Sequence, residues 1–87
     1  MVIKRAQAQV AALDVADATI IRFTGYGSYA FGCVLEATRE GFLAFAAAVE
    51  DGGLEVQLHT TIPMRQSKLE PVYLYEMAIL IPEDWQG

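Results

Sequence analysis

The sequence contains a single cysteine, Cys33, and this scarcity excludes an intrachain disulfide and a metal site built from several cysteines. Basic residues are also few: six Lys and Arg stand against eleven Asp and Glu, which gives a formal charge of −5. A chain with so little positive charge lacks the surface that neutralises phosphates, so we expect no binding to nucleic acid. His59 is the one histidine and has no second ligand at metal-binding spacing. Neither a metal nor another cofactor is therefore expected.

No apolar run approaches the roughly 20 residues that an α-helix needs to span a bilayer, so we expect no membrane segment. The N-terminal segment has a basic start followed by alanines, as a secretion signal does. However, Gln7, Gln9 and Asp14 interrupt the apolar stretch that a signal requires. The sequence therefore predicts a cytoplasmic protein.

What the chain does have is apolar side chains, which make up 54% of it against 20% charged residues. This composition excludes disorder, and 87 residues fit one domain, spanning residues 1–87. A chain of this size buries only about 60–70% of the surface that its unfolded form exposes. The apolar excess therefore predicts either self-association or a ligand pocket.

Hydrophobic periodicity predicts two helices. The first covers residues 3–13, where apolar side chains recur at helical spacing. The second runs from a Thr38 cap to about Glu50, and it has Leu43 on the flank of an apolar stripe formed by Phe42, Phe45, Ala46 and Val49. β-Branched and aromatic content predicts strands at residues 18–24, 28–36, 54–62 and 72–81.

The order α-β-β-α-β-β predicts an α+β fold, a two-layer sandwich with two helices packed on a four-stranded, mainly antiparallel sheet. Residues 63–71, bracketed by prolines, are predicted to form a loop. Residues 72–81 are apolar on both faces, so we expect this strand at the centre of the sheet or at a subunit interface.

The stretch TGYGSYAFG, residues 24–32, superficially resembles a phosphate-binding loop. The spacing of its third glycine is too long for a dinucleotide fingerprint, and a strand rather than a helix follows it. We interpret the stretch as a hairpin turn at residues 25–27, with Phe23 opposite Tyr29 and Thr24 opposite Ser28. Phe23, Ile21 and Cys33 would then share one apolar face.

Residues 54–62 alternate between apolar and polar side chains, which places His59 on the polar face of its strand. Cys33 belongs to the apolar face, so the two side chains should point to opposite sides of the sheet. A nucleophile and base pair is therefore not expected, and we predict no catalytic residues and no enzyme activity.

Carboxylates occur in three predicted strands, and Glu76 is notable because large apolar residues surround it. We favour a structural role for it, as a charge paired with Arg22 or with an arginine of a second subunit. The alternative is a site for a small cationic or amphipathic ligand. Its candidate residues are Arg22, Glu36, His59, Tyr75 and Glu76.

Aromatic side chains supply the candidate interface. Tyr73 and Tyr75 share one face of the last strand, Tyr26 lies at the turn, and Trp85 follows the last strand. Tyr26 and Trp85 either fold back on their own chain or contact another one. From these residues we predict a small acidic protein-interaction module of accessory or regulatory type, a homodimer that binds a heterologous protein.

Overall fold

Six elements follow one another along the chain and form a two-layer α+β sandwich, which confirms the predicted fold class. The computed structural model describes residues 2–66 and 70–86. Two helices pack on one face of an antiparallel sheet of four strands. The elements are α1 (Val2–Ala11), β1 (Ala18–Gly25), β2 (Ala30–Thr38), α2 (Arg39–Asp51), β3 (Glu55–Gln66) and β4 (Pro71–Leu80). We call the sheet face opposite the helices the open face.

The strand order is β1-β2-β4-β3, so the last strand of the sequence lies inside the sheet. β4 pairs with β2 on one side and with β3 on the other. This central position explains the two-sided apolar character of residues 72–81 and confirms the first of the two placements predicted for that strand. β1 and β3 are the edges.

The β1–β2 hairpin forms as predicted, but its register differs from the prediction. Phe23 pairs with Cys33, whereas the sequence placed Phe23 opposite Tyr29. The connecting loop covers residues 26–29, so it is longer than the tight turn that we expected. Because the shift is by an even number of residues, Phe23 and Cys33 still face the helices.

A β-bulge in β1 changes which side chains of that strand face the core. The bulge lies between Ile20 and Arg22, and it leaves Ile21 exposed, although the alternation predicted Ile21 to be in the apolar face. Ile20 packs against the core in its place. An extra residue reverses the pleat, and sequence alternation alone does not reveal it.

A second bulge has the same effect in β3, between Leu58 and Thr60. Beyond it, Thr61 pairs with Tyr75 on the helix side, while Thr60 pairs with Glu76 on the open face. The predicted alternation is therefore wrong after His59.

The predicted loop at residues 63–71 is also partly wrong, because β3 continues to Gln66 and β4 begins at Pro71. A third irregularity, between Pro63 and Arg65, lets the strand accommodate the proline. Residues 67–69 of that predicted loop lie outside the described residues.

α2 begins where the sequence predicted, because Thr38 caps it. The Thr38 hydroxyl accepts a hydrogen bond from the Gly41 backbone N–H at 3.0 Å. Thr38 N–H in turn donates to the Asp17 carbonyl oxygen at 3.2 Å, which brings the end of the α1–β1 connection against the first turn of α2. A Cβ at Gly41 would overlap that Asp17 carbonyl. Glycine is therefore required for this close approach.

The core lies between the helices and the two central strands. β2 and β4 contribute the largest share of it, and α1 contributes Ala6 and Val10, both fully buried. α2 adds Phe45 and Val49 from the stripe that the helical spacing predicted. The fully buried strand residues include Phe31, Leu35 and Ile79.

We expect Gly41→Ala to destabilise the protein, although alanine is ordinarily the better helix residue. The new methyl group must displace the Asp17 backbone, so the free energy of unfolding should fall by about 1–3 kcal/mol in urea titrations. Ala44→Gly, at an exposed position of the same helix, is the control and should cost about 1 kcal/mol from propensity alone. A Gly41→Ala protein that is as stable as the wild type or more stable would contradict the proposed contact.

Candidate functional site

A cleft opens on the helix side of the sheet, between α2 and the edge strand β3. Its volume is about 280 Å³. We call it the α2–β3 cleft, and it is lined by Arg39, Phe42, Leu43, Leu58, Thr61, Tyr73 and Tyr75.

The floor of the α2–β3 cleft is aromatic and ordered by stacking. The rings of Phe42 and Tyr75 stack with centroids 4.2 Å apart and an angle of 14° between their planes. Tyr73 lies 5.9 Å from Tyr75 in a tilted arrangement. Burial raises the pKa of the Tyr75 hydroxyl; Tyr73 adds to this rise and Arg39 opposes it. The stacked pair of Phe42 and Tyr75 is therefore uncharged at neutral pH.

The rim of the α2–β3 cleft exposes two leucines. Leu43 is 57% exposed and Leu58 is 43% exposed. The sequence placed Leu43 on the flank of the helical stripe and Leu58 on the apolar face of its strand, without predicting a cleft. The position of Leu43 beside the stripe was the available signal, since a side chain there need not be covered by the sheet. Two exposed leucines around an aromatic floor form an apolar surface of the kind used for binding.

A second concavity, of about 250 Å³, lies on the open face. We call it the open-face groove. Its polar side chains come from β1, the β1–β2 loop, β3 and β4, and they are Arg22, Thr24, Tyr26, His59, Thr60 and Glu76.

Tyr26 and His59 close one end of the open-face groove. The Tyr26 hydroxyl oxygen and His59 Nδ1 are hydrogen-bonded at 3.2 Å, and the two rings are 5.9 Å apart. Tyr26 directly follows β1, whereas His59 lies in β3, at the opposite edge of the sheet. The two side chains meet across the open face. Tyr26 therefore folds back across its own sheet, which is one of the two roles predicted for it.

The structure brings together three of the five residues predicted for a ligand site. Arg22, His59 and Glu76 line the open-face groove. Glu36 lies on the same face but in a separate hollow beside Asp17. Tyr75 lies on the helix side, buried beneath Phe42, because it neighbours Glu76 in sequence and successive strand residues face opposite ways.

Trp85 packs against its own chain and joins the ends of both helices. Its indole Nε1 donates to the Gly52 carbonyl at 3.0 Å, and the same carbonyl accepts from the Gln9 side chain at 3.0 Å. The Arg5 guanidinium lies 5.6 Å from the centre of the indole ring. Of the two roles predicted for Trp85, this arrangement is the intramolecular one.

Cys33 is buried in the core, and burial raises the pKa of its thiol to about 12. A thiol of this kind is not a nucleophile at neutral pH. His59 lies in the open-face groove, on the other side of the sheet. Within residues 2–66 and 70–86, no three His, Cys, Asp or Glu side chains are close enough to hold a metal ion.

Comparison with known protein families, with curated proteins and with solved structures finds no match to this chain. In the described part of the chain, neither helix is long and apolar enough to cross a membrane. Function must therefore be inferred from the two surfaces described above.

The buried thiol makes stability depend on alkaline pH. Cys33 ionises near pH 9 when unfolded and near 12 when folded, so stability falls as pH rises between these values. Between about pH 8 and about pH 10.5, the wild type should lose about 2 kcal/mol more than Cys33→Ala in urea unfolding. Comparison with this variant removes the contribution of the tyrosines. Equal losses in the two proteins would show that the thiol already ionises in the native state.

Proposed function

We propose that the protein is a small interaction module that works as a homodimer, with the α2–β3 cleft as its contact surface. The observation that carries the proposal is the exposure of Leu43 and Leu58 around the stacked pair Phe42 and Tyr75. Exposure of such an apolar surface to water is unfavourable in a monomer, whereas association buries the surface and so lowers the free energy. Tyr73 and Tyr75, two of the predicted interface residues, line this surface.

The cleft is accessible to a second copy of the chain because β3 is an edge strand. β3 pairs with β4 on one side, and its other side is unpaired within the sheet. The bulge at His59 and the proline at position 63 interrupt the outer row of backbone groups, which disfavours a long ladder between two β3 strands. We therefore expect side-chain packing around a two-fold axis, each copy placing its rim leucines against those of the other.

The area that a stable dimer interface buries indicates how far the contact must extend beyond the α2–β3 cleft. A standard interface buries about 800 Å² per subunit, roughly one seventh of the 5493 Å² surface of this chain. The α2–β3 cleft alone is smaller than that. We expect the contact to continue along the β3 edge, past Thr61 on the helix side of the sheet, to Met64, which is also exposed.

In this proposal the module has an accessory or regulatory role, in which the dimer binds a heterologous protein. It has no catalytic role. We argue against catalysis because Cys33 is buried and because the sheet separates Cys33 from His59. An interaction role depends on surface shape and apolar contact, and both are present at the α2–β3 cleft.

We expect the double variant Leu43→Glu/Leu58→Thr to convert the dimer to a monomer. Glutamate preserves helix propensity and threonine preserves strand propensity, so the fold should persist. Losing two apolar side chains from each copy should raise the dimer dissociation constant by roughly 100-fold. Sedimentation velocity over a concentration series measures this constant.

Ile21→Thr is the matched control, because Ile21 is 47% exposed but lies in β1, the opposite edge strand. The control protein should dimerise as the wild type does. A monomeric wild type would overturn the dimer, and a dimer that the control variant weakens instead would move the contact to β1.

A further inference from the structure

The floor of the open-face groove is closed although both described helices pack on the other side of the sheet. Ala78 is 1% exposed and Val34 is 5% exposed, and Gly32 beside them is also buried. Part of the cover is Thr24, since a Cβ at Gly32 would overlap the Thr24 hydroxyl. The small floor residues leave room, and the longer side chains around them form walls.

The walls of the open-face groove carry opposite charges. The strand register aligns Arg22 of β1, Val34 of β2 and Glu76 of β4 in one row across the sheet. Arg22 and Glu76 are therefore two strands apart, roughly 10 Å between their Cα atoms. Thr60 of β3 continues the row beside Glu76. A cationic wall thus faces an acidic wall across an apolar floor.

We propose that the open-face groove binds a small zwitterion, with a carboxylate at Arg22 and an ammonium group at Glu76. The guanidinium matches a carboxylate in a two-point hydrogen bond, and the glutamate oxygens accept from an ammonium group. The Thr24 and Thr60 hydroxyls flank these charges, and the Tyr26–His59 hydrogen bond closes the end. This site lies on the opposite side of the sheet from the α2–β3 cleft and does not depend on the dimer.

The volume of the groove limits the ligand. About 250 Å³ corresponds to roughly eight water molecules at ~30 Å³ each, so a ligand of about eight non-hydrogen atoms fills it. 5-Aminopentanoate has this size, and its flexible chain spans the distance between the walls. A ligand with a single charge leaves one wall without a partner, which selects against it.

The test is a titration of the ¹⁵N-labelled full chain with 5-aminopentanoate, followed by amide chemical shifts. We expect shifts confined to the groove and a dissociation constant of about millimolar order, as suits so small a ligand. Pentanoate and pentylamine each retain one charge and should bind at least about tenfold more weakly.

Charge-neutralising variants test the roles of Arg22 and Glu76 in binding. Arg22→Gln and Glu76→Gln should each weaken 5-aminopentanoate at least about tenfold, while Glu55→Gln, on the open face but outside the groove lining, should not. The exchange variant Arg22→Glu/Glu76→Arg should restore binding, because the ligand can reverse its direction. This recovery distinguishes charge recognition from a loss of folding.

Three results would overturn the proposal. One is the absence of groove shifts at about 50 mM ligand, far above the expected constant. Another is binding of pentylamine as tight as that of 5-aminopentanoate, which would make the groove a site for simple cations. The third is binding that neither Arg22→Gln nor Glu76→Gln weakens.

Discussion

The antiparallel pairing of β2 with β4 is the interaction on which the rest of the structure depends. It runs without interruption from Ala30 opposite Leu80 to Thr38 opposite Val72. Each of these two strands is the second strand of a hairpin, and each hairpin is preceded by one helix. The chain therefore consists of two αββ halves joined along the β2–β4 pair, which we call the seam. A two-stranded hairpin is at best marginally stable in water. Neither half is therefore expected to fold without the other.

The seam gives the sheet an approximate two-fold arrangement that the sequence does not show. An axis between Val34 and Glu76 exchanges β2 with β4 and β1 with β3, and it places Arg22 on the position of Thr60. The bulges in β1 and β3 both immediately precede this row. Both outer strands therefore reverse their pleat at the same level, and this level is where the open-face groove has its charged walls.

The sequence predicted the order of the elements well, because periodicity and caps are local signals: Thr38 starts α2, and the apolar residues 72–81 form a central strand. It did not predict the register of the first hairpin, since the loop at residues 26–29 was longer than its glycines suggested. It also could not reveal the bulges, which depend on pairing with a distant strand. Alternation alone grouped Arg22, His59 and Glu76 as candidate ligand residues. Thr60 and the α2–β3 cleft were missed because their positions likewise depend on contacts between elements that are distant in the sequence.

The Gly52 carbonyl, which accepts from both Gln9 and Trp85, has a practical consequence for spectroscopy. Trp85 is the single tryptophan of the chain, so intrinsic fluorescence reports on this junction. Its emission follows the attachment of the tail to the ends of the helices, where the indole also packs against the core. A fluorescence change that precedes the loss of sheet structure on heating would record release of the tail while the strands remain paired. Circular dichroism in the amide region would be needed to observe the sheet itself.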